Sequence, residues 1–190
     1  MEDLITYSNK LILEQSEADI IESAKKDPAA FKPLYHRYFK QIFLFTYHRV
    51  GDKQNAADIT SEVFLKALEK IEGFVYKGLP LSAWLYRIAI NECNEYFRKS
   101  RQQKLIVLNQ ATIERLVEEM GEKTSEGTNF QVLANAMRRL DDQSVQIIQL
   151  RYFEAMPFKE IGQVLDITEN NAKVRLYRAI AKLRLKMGLK

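Results

Sequence analysis

From Pro157 to Lys186 two stretches of helical apolar spacing follow one another across a short break, a pattern best satisfied by a pair of closely packed helices. Ile161, Val164 and Leu165 recur at helical spacing in the first stretch, and Gly162 is small enough to let a second helix approach. A turn is expected at Asp166, and Thr168 has the side chain of a helix N-cap. In the second stretch Ala172, Leu176, Ala179 and Leu183 line one buried face. The other faces carry Asn170, Asn171, Lys173, Arg175 and Arg178. Cations bond phosphates, while Arg and Asn match the paired groups on base edges in a major groove. Small residue, turn and basic helix in that order therefore predict a helix-turn-helix that reads duplex DNA. The alternative is a solvated basic helix on an ordinary bundle.

The rest of the chain is helical in character as well. Hydrophobic residues make up 46% of the 190 and charged residues 28%, while seven Gly and four Pro supply too little turn chemistry for an all-β fold. An all-α protein is expected, with two small helical domains joined by a flexible linker and the helix-turn-helix in the second. The net charge is +4, and residues 168–190 hold seven Lys or Arg against one acid. Attraction for polyanions is thus concentrated at the C-terminal end. The single cysteine, Cys93, excludes an internal disulfide, and no second cysteine or suitably spaced histidine pair is there for zinc. The chain begins Met1, Glu2, Asp3 without a basic and apolar leader, and no run approaches a membrane span. A cytoplasmic location without membrane insertion is expected.

Apolar periodicity divides the first half into four helices. One opens near Glu17 and runs to Asp27, after which Pro28 can start the next at its permitted first position. That second helix carries Phe31, Leu34, Tyr35, Tyr38, Phe39, Ile42, Phe43 and Phe45, an apolar surface broader than one neighbour covers, and ends at Gly51. A third spans about Lys53 to Ile71, with Asp58, Glu62 and Lys66 outward. Gly73 and Gly78 bracket a loop, and a fourth helix from about Leu81 to Lys99 ends in the cluster Arg98, Lys99, Arg101. Residues 102–130 read as a linker, with a modest amphipathic patch at Ile113, Leu116 and Val117 followed by polar, Gly-containing sequence. Apolar helices resume at about 130–140 and 142–153. The domains are expected at 17–101 and 131–187.

Enzyme chemistry has little support. His36 and His48 lie twelve residues apart on one aromatic helix, and no phosphate-cradling glycine loop, nucleophile motif or metal-binding histidine motif occurs. No catalytic residue, metal ligand or cofactor is assigned. Cys93 falls on an apolar helical side, where a buried inert thiol is expected.

Two sets of residues resemble the small, two-domain sigma factors of bacterial RNA polymerase, the extracytoplasmic function group of the sigma-70 family. The first comprises Asp27, Ala29, Ala30, Phe31, Leu34, Tyr35, then Ala57, Asp58, Ile59, Glu62, Val63, Phe64, Leu65, Lys66, Ala67, then the run Ala83, Trp84, Leu85, Tyr86, Arg87, Ile88, Ala89, Asn91. The second comprises Leu140, Leu150, Arg151, Tyr152, Phe153, the helix-turn-helix, and Lys173, Arg175, Leu176, Arg178, Ala179, Leu183. The resemblance implies that Asp58, Glu62 and Lys66 dock on a coiled coil of core RNA polymerase. It implies that the loop Phe74 to Pro80 and the helix after it capture the melted minus-ten strand of promoter DNA. Tyr76, Lys77, Asn91, Glu95 and Arg98 are the candidate contacts there, and Arg98, Lys99 and Arg101 would hold phosphates. Trp84 is assigned to the core. Asn170, Asn171, Lys173, Arg175 and Arg178 would read the minus-thirty-five duplex. An anti-sigma protein is the implied regulator, and the linker would thread near the polymerase active centre. Ser61, Glu95, Asp166, Ala172 and Val174 depart from the family pattern. Asp166 replaces a turn glycine, which Asp tolerates because it enters the left-handed region more readily than most residues. The competing function is a one-component helix-turn-helix regulator whose N-terminal helices dimerise or sense a signal.

Overall fold

A computed structural model describes residues 16–76, 80–100, 107, 110–120 and 130–189. Among them the secondary structure is entirely helical. The first half holds α1 (Glu17–Lys26), a 3-10 turn (Pro28–Phe31), α2 (Lys32–Val50), α3 (Lys53–Lys70) and α4 (Leu81–Ser100). After α5 (Gln110–Glu119) come α6 (Phe130–Arg138), α7 (Asp142–Ile148), α8 (Phe158–Leu165) and α9 (Glu169–Met187).

Short polar side chains set the boundaries. Ser16, Asp52, Asp141 and Thr168 are N-caps whose side chains accept from Asp19 N, Asn55 N, Ser144 N and Asn171 N, which satisfies amides that have no partner inside the helix. Pro28 opens a short 3-10 turn rather than the long second helix. Asp27 accepts from Ala29 N, and the α-helix begins four residues later at Lys32. Gly51 ends α2 in the left-handed region at φ 78, where a Cβ would be strained.

In the first bundle α3 packs between α2 and α4. Ile42, Phe45, Val63, Ala67, Leu85 and Ala89 are buried there, and Phe45 meets Tyr86 edge to face at 5.1 Å. Glu17 ties three helices together, accepting from the Tyr38 hydroxyl on α2 and from Leu81 N, the first amide of α4, at 2.6 Å. The broad apolar surface of α2 resolves into two faces. Ile42 and Phe45 point inward, whereas Tyr35, Phe39, Phe43 and Tyr47 form a ladder at i, i+4 spacing, with Phe39 stacked on Phe43 and Phe43 on Tyr47.

Residues 110–120 have a core that their composition does not announce. Ile113, Leu116, Val117 and Met120 are buried, α5 packs on the segment after α7, and Arg184 of α9 donates to the Met120 carbonyl. That following segment, Gln149–Phe153, is a π-type turn that extends α7, with Glu154 N bonded to Gln149 O. Residues 102–106, 108–109 and 121–129 of the expected linker lie outside the described residues. The two halves pack against each other, α4 against α8, so the C-terminal helices add to the apolar interior of the first bundle.

Gly162 marks a close backbone approach in the second half. A Cβ there would lie 2.7 Å from the Ile167 carbonyl oxygen and 3.3 Å from Glu169 N, both backbone atoms that cannot rotate away. Gly162→Ala is expected to lower stability by about 1–3 kcal/mol, the usual range for forced overpacking, whereas Gly73→Ala, with nothing within 4 Å, is expected to leave it unchanged. Thermal unfolding of the two variants checks the difference.

Candidate nucleic-acid and polymerase interfaces

The helix-turn-helix is built around the Asp166 turn. Asp166 adopts φ 57, ψ 48, and Ile167 N donates to Gly162 O at 2.7 Å, which closes α8. Thr168 then caps α9 as its side chain predicts. Ala172, Leu176, Ala179 and Leu183 are all buried, joined by Ile180. Asn170, Asn171 and Arg178 are exposed, and Lys173 and Arg175 are half-buried. Lys173 is held by Glu169 at 2.8 Å and lies over the Phe158 ring at 5.8 Å, so its ammonium is aimed before any ligand arrives. Arg175, Arg178 and Asn171 share a groove with Asp141, Gln143, Ser144 and Lys182, and Lys182 bonds Asp141 at 2.7 Å. This bond, with the Ser144 amide and hydroxyl, holds the Asp141 carboxyl down at about 2.

Tyr177 is 63% exposed on the same outward side of α9. Charge patterning does not single it out; its spacing of four from Lys173 does.

On α4 the residues Trp84, Arg87, Asn91, Glu95 and Arg98 recur at steps of three, four, four and three and so share one stripe. Asn91, Arg98 and Lys99 are exposed. Glu95 is engaged within the helix, accepting from Arg98 at 2.6 Å and pairing with Lys99 at 3.2 Å. Those hydrogen bonds, Arg98 first and then Lys99, pull its carboxyl below the usual range. Tyr76 is exposed, and Lys77 and Arg101 lie outside the described residues. Trp84 is half-buried rather than in the core. Its ring rests on Phe74 at 4.8 Å and walls an open cleft with Val75, Pro80, Arg87, Gln163 and Asp166, so a loop and the second domain flank it where a closed core would need another helix.

The α3 face differs in detail from its charge pattern. Asp58 is exposed, but Lys66 bonds Glu92 of α4 at 2.7 Å and Glu62 at 3.3 Å, and the Glu92 bond above all raises its pKa. Its ammonium thus bridges α3 to α4. The outward surface is completed by Ser61 and by Leu65, which is 50% exposed.

A third set of polar residues joins the two halves. Tyr86 donates to Glu154 at 2.5 Å, and Arg87 donates to the Val164 carbonyl at 3.2 Å and faces Asp166 at 3.3 Å. Arg49, at the end of α2, is 2% exposed and donates to the side-chain oxygens of Gln149 at 2.8 Å and Asn94 at 2.9 Å. Burial pushes its pKa down and the Glu154 carboxyl up to about 7. The His48 ring sits against Phe153 at 5.5 Å with its pKa lowered by burial. Cys93, fully buried beside these groups, is pushed up to about 12.

Among the described residues no cluster of His, Cys, Asp or Glu is placed to hold a metal, and no helix is long and apolar enough to cross a membrane. His36 is exposed and His48 packs against the second half.

Residues 34–103 match Sigma-70 region 2, and residues 136–185 match Sigma-70, region 4. The chain belongs to the sigma-70 family. Its similarity extends to the extracytoplasmic function sigma factor BldN of Streptomyces coelicolor, 33% identical over 167 residues that cover 87% of this chain and 63% of that protein. The extracytoplasmic function sigma factor SigW of Bacillus subtilis is 27% identical over 176 residues, covering 86% of this chain and 92% of SigW. The chain thus spans less than two thirds of BldN but nearly all of SigW. Two solved structures share the fold. CnrH in complex with the cytosolic domain of CnrY aligns at a TM-score of 0.58 and 20% identity, covering 89% of this chain and 95% of that one. The sigma factor RpoE in complex with the anti-sigma factor NepR from Bartonella quintana aligns at 0.56 and 19%, covering 84% and 98%. In sigma-70 terms region 2 begins within α2 and takes in α3 and α4, and region 4 runs from the end of α6 into α9.

The Glu154 carboxyl gives this sigma-70 protein a measurable pH response. Its folded pKa of about 7 exceeds the ordinary 4.5, so its contribution to stability is full below pH 4.5 and is lost as pH rises through 7. His48 has the opposite slope, because its lowered pKa makes stability fall as pH drops below 6.5. Comparing Glu154→Gln with the parent cancels the histidine. The variant is expected to gain in Tm relative to the parent between pH 5 and pH 8, by scanning calorimetry at both values.

Proposed function

We propose that this chain is a promoter-specificity subunit of bacterial RNA polymerase, cytoplasmic and without catalytic chemistry of its own. Region 2 binds core polymerase through the α3 face and the melted minus-ten strand through the α4 stripe. Region 4 reads the minus-thirty-five duplex with α9, and residues 102–130 link the two. The single observation that carries the reading is a capped, backbone-tight helix-turn-helix whose second helix buries its apolar face and turns Asn170, Asn171 and Arg178 to solvent. A bare basic helix on a bundle has no need of the close backbone approach that only a glycine at position 162 leaves room for.

Asp58 and Glu62, beside Ser61 and the exposed Leu65, present a small mixed surface to core polymerase, with acids for steering and one apolar anchor. Lys66 supports that surface from within. Asn91 and Tyr76 offer groups to an unpaired base, and Arg98 and Lys99 hold the strand's phosphates, with Glu95 setting the direction of both cations. Lys77 and Arg101 are assigned to the same strand from the sequence resemblance alone. An anti-sigma protein is the fitting regulator, as CnrH and RpoE were solved with CnrY and NepR.

Transcription from a genomic fragment library by bacterial core polymerase, with and without the protein, tests the proposal. Discrete new start sites are expected. Lys173→Ala with Arg175→Ala is expected to reduce initiation at least tenfold, each lost contact being worth about 1–3 kcal/mol, while core binding is unchanged. Asp58→Lys with Glu62→Lys is expected to weaken core binding instead. Sequence-specific duplex binding with no core association and no new starts would establish the one-component regulator.

A further inference from the structure

Val174 stands at the centre of the face that α9 turns to solvent. Ala172, Leu176, Ala179, Ile180 and Leu183 form the buried stripe of that helix. At about 100° per residue, Val174 lies roughly opposite the middle of the stripe, and it is 37% exposed. Asn170 and Arg178, one step of four before and after it, fall in the same row and are exposed as well. Lys173 and Arg175 lie about 100° to either side. Lys173 is drawn to one flank by Glu169 and the Phe158 ring of α8, and Arg175 borders the groove that Asp141 and Ser144 line at the start of α7. The middle of the outward face is therefore a row of amide, isopropyl group and guanidinium, with a cation on each flank.

Folding supplies no reason for a valine at that place. Its side chain is outside the core, and valine ranks below alanine, glutamine or lysine as a helix former because branching at Cβ restricts its rotamers. The same restriction favours recognition. Both methyl groups have a fixed direction before a ligand arrives and lose little freedom when it binds. Lone exposed valines are ordinary on protein surfaces. This one is set between the two side chains of the row that match base edges.

In a major groove the chemistry of such a row is selective. An amide matches adenine and a guanidinium matches guanine, each through two hydrogen bonds. An isopropyl group neither donates nor accepts, so it leaves unpaired any polar base edge that it covers. The apolar feature that the groove offers is the thymine 5-methyl group. At 1.5 Å per residue Asn170 and Arg178 are about 12 Å apart along the helix, which is roughly three to four base pairs. Val174, midway between them, meets the inside of the recognised element and not its end.

We infer that Val174 is a specificity-determining residue of region 4: it selects a thymine inside the minus-thirty-five element by packing on the 5-methyl group, while Lys173 and Arg175 hold phosphates on either side without choosing a base. The inference rests on the proposed sigma function for the identity of the duplex. It deepens that reading by dividing α9 into a central reader and two flanking clamps.

Deoxyuridine in place of thymidine removes the methyl group and leaves the base pair intact. Each thymidine of a minus-thirty-five element mapped by the transcription assay is replaced singly, and initiation is measured at subsaturating holoenzyme assembled from the full chain. With the parent, an internal position is expected to lose about fourfold, the effect of one methyl group left in water. With Val174→Ser the thymidine and deoxyuridine promoters are expected to be used equally. Lys173→Ala and Arg175→Ala are expected to lower initiation on both promoters alike, so that the fourfold ratio persists. Circular dichroism confirms that each variant is folded. An element without an internal thymine, a scan in which no thymidine responds, a ratio that persists in Val174→Ser, or one that disappears in Tyr177→Ala instead would each overturn the inference. All are read on a promoter that the parent transcribes, so none of them is the absence of new start sites, which would refute the sigma reading itself.

Discussion

The guanidinium of Arg49 is the interaction on which the arrangement of the molecule depends. It lies at the C-terminal end of α2, where helix carbonyls favour a cation, and it reaches Asn94 on α4 and Gln149 in the π-type turn. Removing one side-chain oxygen would leave a buried charge with a single partner, a change that ordinarily destabilises by several kcal/mol. The amide-bound cation gives the two halves a defined orientation beside the apolar interior that they share. Val107 enters the same junction, its N donating to the His48 carbonyl one residue before Arg49.

Local sequence accounts for most of the helices and for the faces they bury. The caps at Thr168 and the turn at Asp166 follow from the intrinsic preferences of single residues, and the apolar steps of α9 follow from its period alone. The exposed positions of Asn170, Asn171 and Arg178 are legible for the same reason, since a helix with one buried stripe leaves the rest outside. Other features depend on residues far apart in the chain. Pro28 is compatible with either a 3-10 turn or a helix start, and the Asp27 side chain selects the turn. The π-type turn and the left-handed Ala155, at φ 53, have no glycine or proline to announce them. Ala155 follows Glu154, whose side chain is fixed by Tyr86 from another helix.

The candidate site shows the same division. Charge patterning finds Lys66 but not its partner, because Glu92 is on a different helix 26 residues away. It finds Glu95, Arg98 and Lys99 without revealing that the one carboxylate pairs with both cations. Tyr86 and Arg87 belong to the most specific run of the sequence, yet their contacts are with residues 68 and 77 positions on. Burial of Ile113, Leu116 and Val117 is likewise decided by the segment that receives them, since a short amphipathic stretch cannot form a core alone.

Cys93 gives the molecule an unusual chemical privacy. Its thiol is fully buried beside Arg49, yet the loss of water around it outweighs the neighbouring cation and lifts its pKa to about 12. Nucleophilic attack on a peroxide or a disulfide requires the thiolate, which at neutral pH is present in roughly one molecule in 100,000 for such a pKa. While the fold is intact, Cys93 therefore offers neither an exposed sulfur nor an appreciable thiolate for a mixed disulfide or a crosslinked dimer.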